Sequence, residues 1–141
     1  MLKIKRYKPL IDKLFYIISI PTAVLLAGAT VLAALEPFAL LIIIPVDISC
    51  IYFIISPLFG YVELRQETVF IKLGFFMKRE IPYSKIRGIT KARRVYADSM
   101  ISLKNALTHV NIKYNTFDIL SVSVKDNDGF IEELNARRKA K

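Results

Sequence analysis

The sequence predicts a membrane α-helical hairpin followed by an α+β domain, an antiparallel β-barrel or sandwich of about six or seven strands closed by a C-terminal helix. Three observations carry this expectation. Two apolar runs of 22 residues each, Leu14–Leu35 and Phe38–Phe59, are separated only by Glu36 and Pro37. The composition changes at Gly60, after which apolar residues recur at every second position in short segments. Near the C-terminus that period gives way to a helical one.

Each apolar run exceeds the roughly 20 residues that cross about 30 Å of hydrocarbon at 1.5 Å per residue. The chain is 54% hydrophobic, with a formal net charge of +9. Its mean hydropathy is +0.41. Residues 1–13 hold Lys3, Lys5, Arg6, Lys8 and Lys13 against Asp12. Residues 60–141 hold 16 Lys/Arg against 9 Asp/Glu. Both flanks of the hairpin are therefore basic, and the positive-inside rule puts both termini in the cytoplasm and the Glu36-Pro37 turn outside. The expected divisions are a basic cytoplasmic N-terminus at 1–13, a two-helix transmembrane hairpin at 14–59 and a cytoplasmic domain at 60–141. The expected location is the cell membrane, with two spans. Ala27-Gly28-Ala29 has the small-x-small form of a signal-peptide cleavage site, but the 13-residue lead is long and apolar sequence continues past it. The one cysteine, Cys50, lies in the second span and has no partner for an intramolecular disulfide.

Asp47 is the only charge in the second run and lies about 2 Å from its centre at the helical rise. An ionisable residue at that depth is a candidate functional site. Pro21, Pro45 and Pro57 interrupt the helical hydrogen bonding of the spans, and Pro45 can open a polar notch beside the acid. Pairing across an antiparallel hairpin places Asp47 level with about Leu26, so Thr22, Gly28 and Thr30 are within about a turn. Asp47, Thr22 and Thr30 are the candidate intramembrane polar contact. Two roles stay open for it: packing of the hairpin or of an oligomer, and interaction with an ion, a proton or a membrane-active peptide.

After Gly60, Tyr61–Arg65 and Thr68–Leu73 alternate around a tight turn at Gln66-Glu67. Gly74 breaks the run, FFMKREI follows, and Pro82 ends that strand. Ile86–Arg93 alternates with Arg87, Ile89, Lys91 and Arg93 on one face. Val110, Ile112 and Tyr114 alternate against His109, Asn111 and Lys113. Asn115-Thr116 turns the chain, and Leu120, Val122 and Val124 alternate with serines. Asp126 then predicts a helix N-cap. Phe130, Ile131 and Leu134 form its apolar stripe, Glu133 and Arg137 an i,i+4 pair, and Arg137, Arg138 and Lys139 a basic last turn suited to the helix dipole.

The stretch Tyr61–Leu134 resembles small bacterial pleckstrin-homology (PH)-like domains that follow one or two transmembrane helices. Arg79, Ile81, Pro82, Tyr83, Ile86 and Ile89 match the family pattern R-x-I-P-Y-x-x-I-x-x-I. Ser102, Leu103, Ile112 and Tyr114 match a second stretch. Ser123, Lys125, Asp126, Phe130 and Leu134 match a third, with Val124 where the family usually has proline. The segment between Leu103 and Val110 is longer than usual. The resemblance implies a PH-like fold. In layout, some relatives resemble immunity proteins that protect a producer from its own bacteriocin.

No catalytic site is expected. His109 has no acid or nucleophile partner near it in sequence and reads as a plain surface or strand histidine. There is no His/Cys cluster for a metal, no glycine-rich phosphate loop and no nucleophile elbow. No cofactor is expected. Lys78, Arg79, Lys85, Arg87, Lys91, Arg93 and Arg94 form a candidate lipid-facing basic patch for anionic headgroups. The plainer reading is a solvated strand whose charges enforce topology. Nucleic acid is not expected, since aromatics do not interleave with these cations as a stacking platform needs. The function expected is a non-catalytic integral membrane protein with a PH-like binding or scaffolding domain, one version of which is self-immunity to a bacteriocin. The alternative is an accessory subunit of a transport or channel assembly that oligomerises through the hairpin. The expected partners are membrane lipids, a membrane-active peptide or another membrane protein, and a second copy of the chain.

Overall fold

A computed structural model of the chain describes residues 3–99 and 102–140. The two apolar runs form helices α1 (Lys13–Ala33) and α2 (Pro37–Ile55). Asp12 caps α1, its carboxylate accepting from Leu14 N at 2.8 Å. Pro37 opens α2, where a missing N–H is harmless. A short 3-10 turn, Ser56–Phe59, continues the second span toward the domain.

The basic N-terminal segment is more than a flank. Lys5–Tyr7 forms strand β1, which pairs antiparallel with β2 (Tyr61–Leu64) so that Tyr7 faces Val62. Strands β3 (Thr68–Lys72) and β4 (Lys78–Pro82) complete an antiparallel sheet in the order β1-β2-β3-β4. The hairpin is thus an insertion between two neighbouring strands of one sheet. Both of its legs must leave from the same side.

The second sheet comprises β5 (Ile86–Arg93), β6 (Ser102–Leu103), β7 (Thr108–Tyr114) and β8 (Asp118–Val122), in the order β5-β7-β8-β6. It departs from the expected antiparallel pairing at β6, which runs parallel to β8. The chain leaving β5 crosses the outer face of the sheet, where the Ser99 hydroxyl accepts from Ser121 N at 3.0 Å. It is thereby delivered to the far edge running the same way as β8.

That crossing also corrects the reading of His109. Its ring is 0% exposed, and Asn111 and Ser121 on the same face are buried too. Alternation predicted a wet outer face, but segment 94–99 covers it. Between the sheets, Leu64, Ile71, Ile81 and Tyr83 meet Leu103, Ile112, Leu120 and Val122 in one apolar core. Helix α3 (Asn127–Lys139) closes it with Phe130 and Leu134. The Asp126 side chain caps α3, accepting from Gly129 N at 2.9 Å. Ile81, Tyr83, Ile86, Leu103, Ile112, Phe130 and Leu134, which carried the family resemblance, are all core residues.

Arg137 does more than complement a dipole. It is 4% exposed. It donates to the carbonyls of Leu64 at 3.1 Å, Arg65 at 3.0 Å and Lys3 at 2.7 Å, and to Glu133 at 2.8 Å. The terminal helix is thereby tied to β1 and β2.

Candidate functional site

The residues with the most to say about function surround the base of the hairpin, where two loops of the domain flank the helices. Residues 103–107 seat the start of α1. The Asp12 carboxylate accepts from Leu107 N at 2.9 Å as well as from Leu14 N, and Ile11 bridges Asn105. Arg94 N donates to Leu107 O at 3.0 Å. The end of β5, and the segment 94–99 that follows it, therefore lie beside the start of α1. On the other flank, the turn joining β3 to β4 leans on α2. Phe75 N donates to Ser56 Oγ at 3.3 Å. Gly74 adopts φ +136°, and a Cβ there would collide with Ser56 Oγ, so only glycine lets the turn approach this closely. The rings of Phe75 and Phe76 then lie 5.9 and 6.0 Å from that of Tyr52, and Phe75 lies 4.9 Å from Phe59.

Both loops present apolar side chains outward. Phe76 is 84% exposed, Val95 65% and Tyr96 63%. A cleft of about 350 Å³ separates Val95 and Ala97 from Leu14, Ile18 and Phe53 of the hairpin. Lys104 and Asn105 line the same cleft. Lys104 Nζ donates to Val95 O at 2.8 Å, and burial pushes its ammonium below the ordinary lysine range.

Segment 94–99 is latched to the sheet by Asp98. The Asn111 amide donates to this carboxylate, Arg94 Nη1 lies 3.2 Å away, and the His109 ring nitrogen Nε2 lies 3.8 Å away. The Asn111 hydrogen bond chiefly, with the Arg94 guanidinium adding to it, holds the Asp98 carboxyl below its usual range. Sequence reading missed this latch, because Asp98 and Asn111 meet only once the crossing segment has folded over β7.

The seven basic residues are all exposed but do not form one patch. Strand β5 has eight residues, so its ends are roughly 25 Å apart. Lys78 and Arg79 follow the β3–β4 turn at the hairpin end, and Arg93 and Arg94 end β5 at that same end. Lys85 and Arg87 lie at the opposite end, beside the turn after β7. There Lys85 O accepts from Asn115 N at 3.1 Å and Arg87 donates to Thr116 O at 3.4 Å. Lys91 pairs with Asp128 of α3 at 2.7 Å. Opposite Lys91 stands the core residue Val110, so this strand face continues the core at the margin covered by α3.

Between α1 and α2, Thr30 and Asp47 meet, with Oγ1 and Oδ2 2.6 Å apart. The Thr30 hydroxyl also lies 2.8 Å from Leu26 O, so one hydrogen faces two oxygens. Thr22 instead donates to Ile18 O of its own helix at 2.7 Å. The contact is one turn farther from the domain than a symmetric hairpin places it. Asp47 Oδ1 is buried without a hydrogen-bond partner among the described residues. It borders a groove of about 440 Å³ between the helices, walled by Ala23, Ala27 and Ile51. Among the described residues no group of three His, Cys, Asp or Glu side chains could hold a metal.

A family model for the bacterial PH domain matches residues 60–138. No curated protein and no solved structure matches the chain. The matched stretch runs from the start of β2 to the terminal helix, and β1 lies ahead of it. More than half of the sequence lies within the match, and the chain belongs to the bacterial PH domain family, with two helices long and apolar enough to cross a membrane set ahead of the matched region.

Proposed function

We propose that this chain is a non-catalytic membrane protein that holds a PH domain in one fixed attitude at the cytoplasmic face, where it serves as a binding or scaffolding platform. The observation that carries this reading is the placement of the hairpin between β1 and β2. A domain joined by one linker swings freely; one joined through two adjacent strands of its own sheet does not. The basic composition of residues 60–141 supports the inward orientation. Single cysteines in a Cys50→Ser background test it. A membrane-impermeant maleimide added to intact cells should label Glu36→Cys and leave Asp118→Cys unlabelled. The reverse pattern rules out the cytoplasmic assignment.

The narrower version is self-immunity, in which the hairpin or the domain it positions sequesters a membrane-active peptide. Expression in a sensitive strain should then raise tolerance to one cognate bacteriocin. Unchanged killing by every bacteriocin encoded beside the gene counts against it.

A second reading, an accessory subunit that associates through the hairpin, is favoured by the groove bordering Asp47 and its unpartnered Oδ1. An interhelical donor from another chain would satisfy that oxygen. Ala27→Leu fills the groove without touching the Thr30–Asp47 contact. It should abolish association measured by energy transfer between labelled copies in vesicles, and an unchanged signal removes this reading.

A further inference from the structure

We propose that the two loops flanking the hairpin base, Phe75–Met77 and Val95–Tyr96, enter the acyl–headgroup boundary of the protein's own membrane while Lys78, Arg79, Arg93 and Arg94 bind anionic lipid phosphates. The lipid surface then clamps the domain on both sides of its hairpin. This rests on the reading that the hairpin spans the bilayer, and it adds the surface and the ligand class.

Depth is the first argument. From the Glu36-Pro37 turn, about 20 residues at 1.5 Å cover about 30 Å of hydrocarbon, which sets the inner boundary near Phe15 and Pro57. The rings of Phe75 and Phe76 pack beside Tyr52, five residues nearer the turn than Pro57 and so about 7 Å inside that boundary. Val95 and Ala97 share a cleft with Ile18 and Phe53, on the hydrocarbon side of Phe15 and Pro57.

Chemistry is the second. Phe76 is 84% exposed at the tip of a tight turn, where its ring stacks beside Tyr52 of the hairpin, and aromatics are the residues that settle at a membrane interface. The turn is also built to hold this position, since Gly74 alone permits its contact with Ser56.

Charge is the third. Lys78 and Arg79 directly follow the first loop, and Arg93 and Arg94 directly precede the second. Each apolar tip thus has cations at the level of the headgroups, Arg94 sharing its guanidinium with Asp98 at 3.2 Å, and anionic phosphates are their complement. The cations at the distal end, Lys85 and Arg87, also lie near an exposed aromatic, Phe117 at 92%, but that turn is a strand's length from the hairpin and out of reach of the same membrane face.

The chain contains no tryptophan, so single reporters give a clean signal. Phe76→Trp, Tyr96→Trp, Phe53→Trp in the span and Phe117→Trp at the distal turn would each be placed in the full-length protein. Each would be reconstituted in phosphatidylcholine vesicles, with and without an equal part of phosphatidylglycerol, carrying bromine-labelled acyl chains. The expected result is blue-shifted, quenched emission at 53, 76 and 96 and red-shifted, unquenched emission at 117. Phosphatidylglycerol should deepen quenching at 76 and 96, and Lys78→Glu with Arg79→Glu should abolish that increment at 76. If 53 is quenched while 76 and 96 behave like 117, the clamp is wrong and the spanning hairpin stands. If 53 is also unquenched, the spanning reading itself falls. Quenching at 76 and 96 that is indifferent to phosphatidylglycerol overturns the anionic part of the proposal. Since no other protein is present, loops that serve as a protein-docking face would report as solvent-exposed and count against it.

Discussion

Arg137 joins three parts of the chain that are distant in sequence: Lys3, the Leu64-Arg65 pair and its own helix neighbour Glu133. Replacing it with leucine takes this donor from the Leu64 and Lys3 carbonyls, leaves Arg65 O with the Tyr83 hydroxyl at 2.6 Å, and leaves Glu133 with Lys5 at 4.0 Å. The expected loss is about 3 kcal/mol or more, read from chemical unfolding of the full chain in detergent. Lysine keeps the charge but cannot fork to the same carbonyls, so Arg137→Lys should recover only part of that loss. In the spans, Thr30→Val removes the hydroxyl that meets Asp47 and should cost about 0.6 kcal/mol, and no more than about 1.7, in SDS-titration unfolding. An amide at position 47 can donate to the Thr30 oxygen while the Thr30 hydrogen serves Leu26 O. Asp47→Asn should therefore keep the hairpin contact, and Asp47→Leu should lose it. The sequence exposed Asp47 and its threonine neighbours through the anomaly of a carboxyl in an apolar run. It did not select Thr30 over Thr22, because the register of two helices depends on how the turn closes. The anchoring role of Arg137 gave no local signal, since its carbonyl acceptors lie more than 70 residues away.

At the scale of elements, the short strands after Gly60 and the final helix announced themselves by period and by the Asp126 cap, both local properties. Strand β1 did not: it is three residues long and only Tyr7 is buried, so no alternation marks it. The basic residues are neighbours in sequence but not in space, because an extended strand carries its two ends apart. The β3–β4 turn depends on Gly74, where φ +136° and the nearby Ser56 hydroxyl both exclude a side chain. Gly74→Ala should destabilise the protein by more than about 1 kcal/mol. It should also redshift a tryptophan placed at Phe76 as the turn lifts from α2. Segment 94–99 has a pH dependence of definite sign. Asp98 is held below its ordinary value of 3.8 in the folded state. Its contribution to latching is therefore present above that value and lost as pH falls through the lower folded pKa. Hydrogen exchange at the Ser121 amide, which donates to Ser99 Oγ of the latched segment, should, once corrected for intrinsic rates, stay slow from neutral pH to about pH 4 and rise below it. In Asp98→Asn it should be fast even at neutral pH.

For the whole molecule, the PH domain is assembled from both sides of the hairpin, so the family match at 60–138 marks less than the folding unit. A fragment starting at Gly60 lacks β1, leaving the β2 edge unpaired, and loses the Pro9–Val124 and Ile11–Asn105 bridges. It should aggregate or melt well below a version in which residues 3–12 are joined to Gly60 by a short flexible loop. Equal melting of the two would show that β1 is dispensable. The same interleaving bears on biogenesis. Lys5–Tyr7 is synthesised first, yet its partner Tyr61–Leu64 emerges only after both spans have been made. In the proposed topology the strand waits on the cytoplasmic side until the second helix brings the chain back. An insertion error that strands the first segment on one side and the rest on the other makes the sheet impossible to close. Such a molecule displays an unpaired β2 edge to quality-control proteases. In that topology, closure of the β1–β2 pair certifies correct insertion of the hairpin.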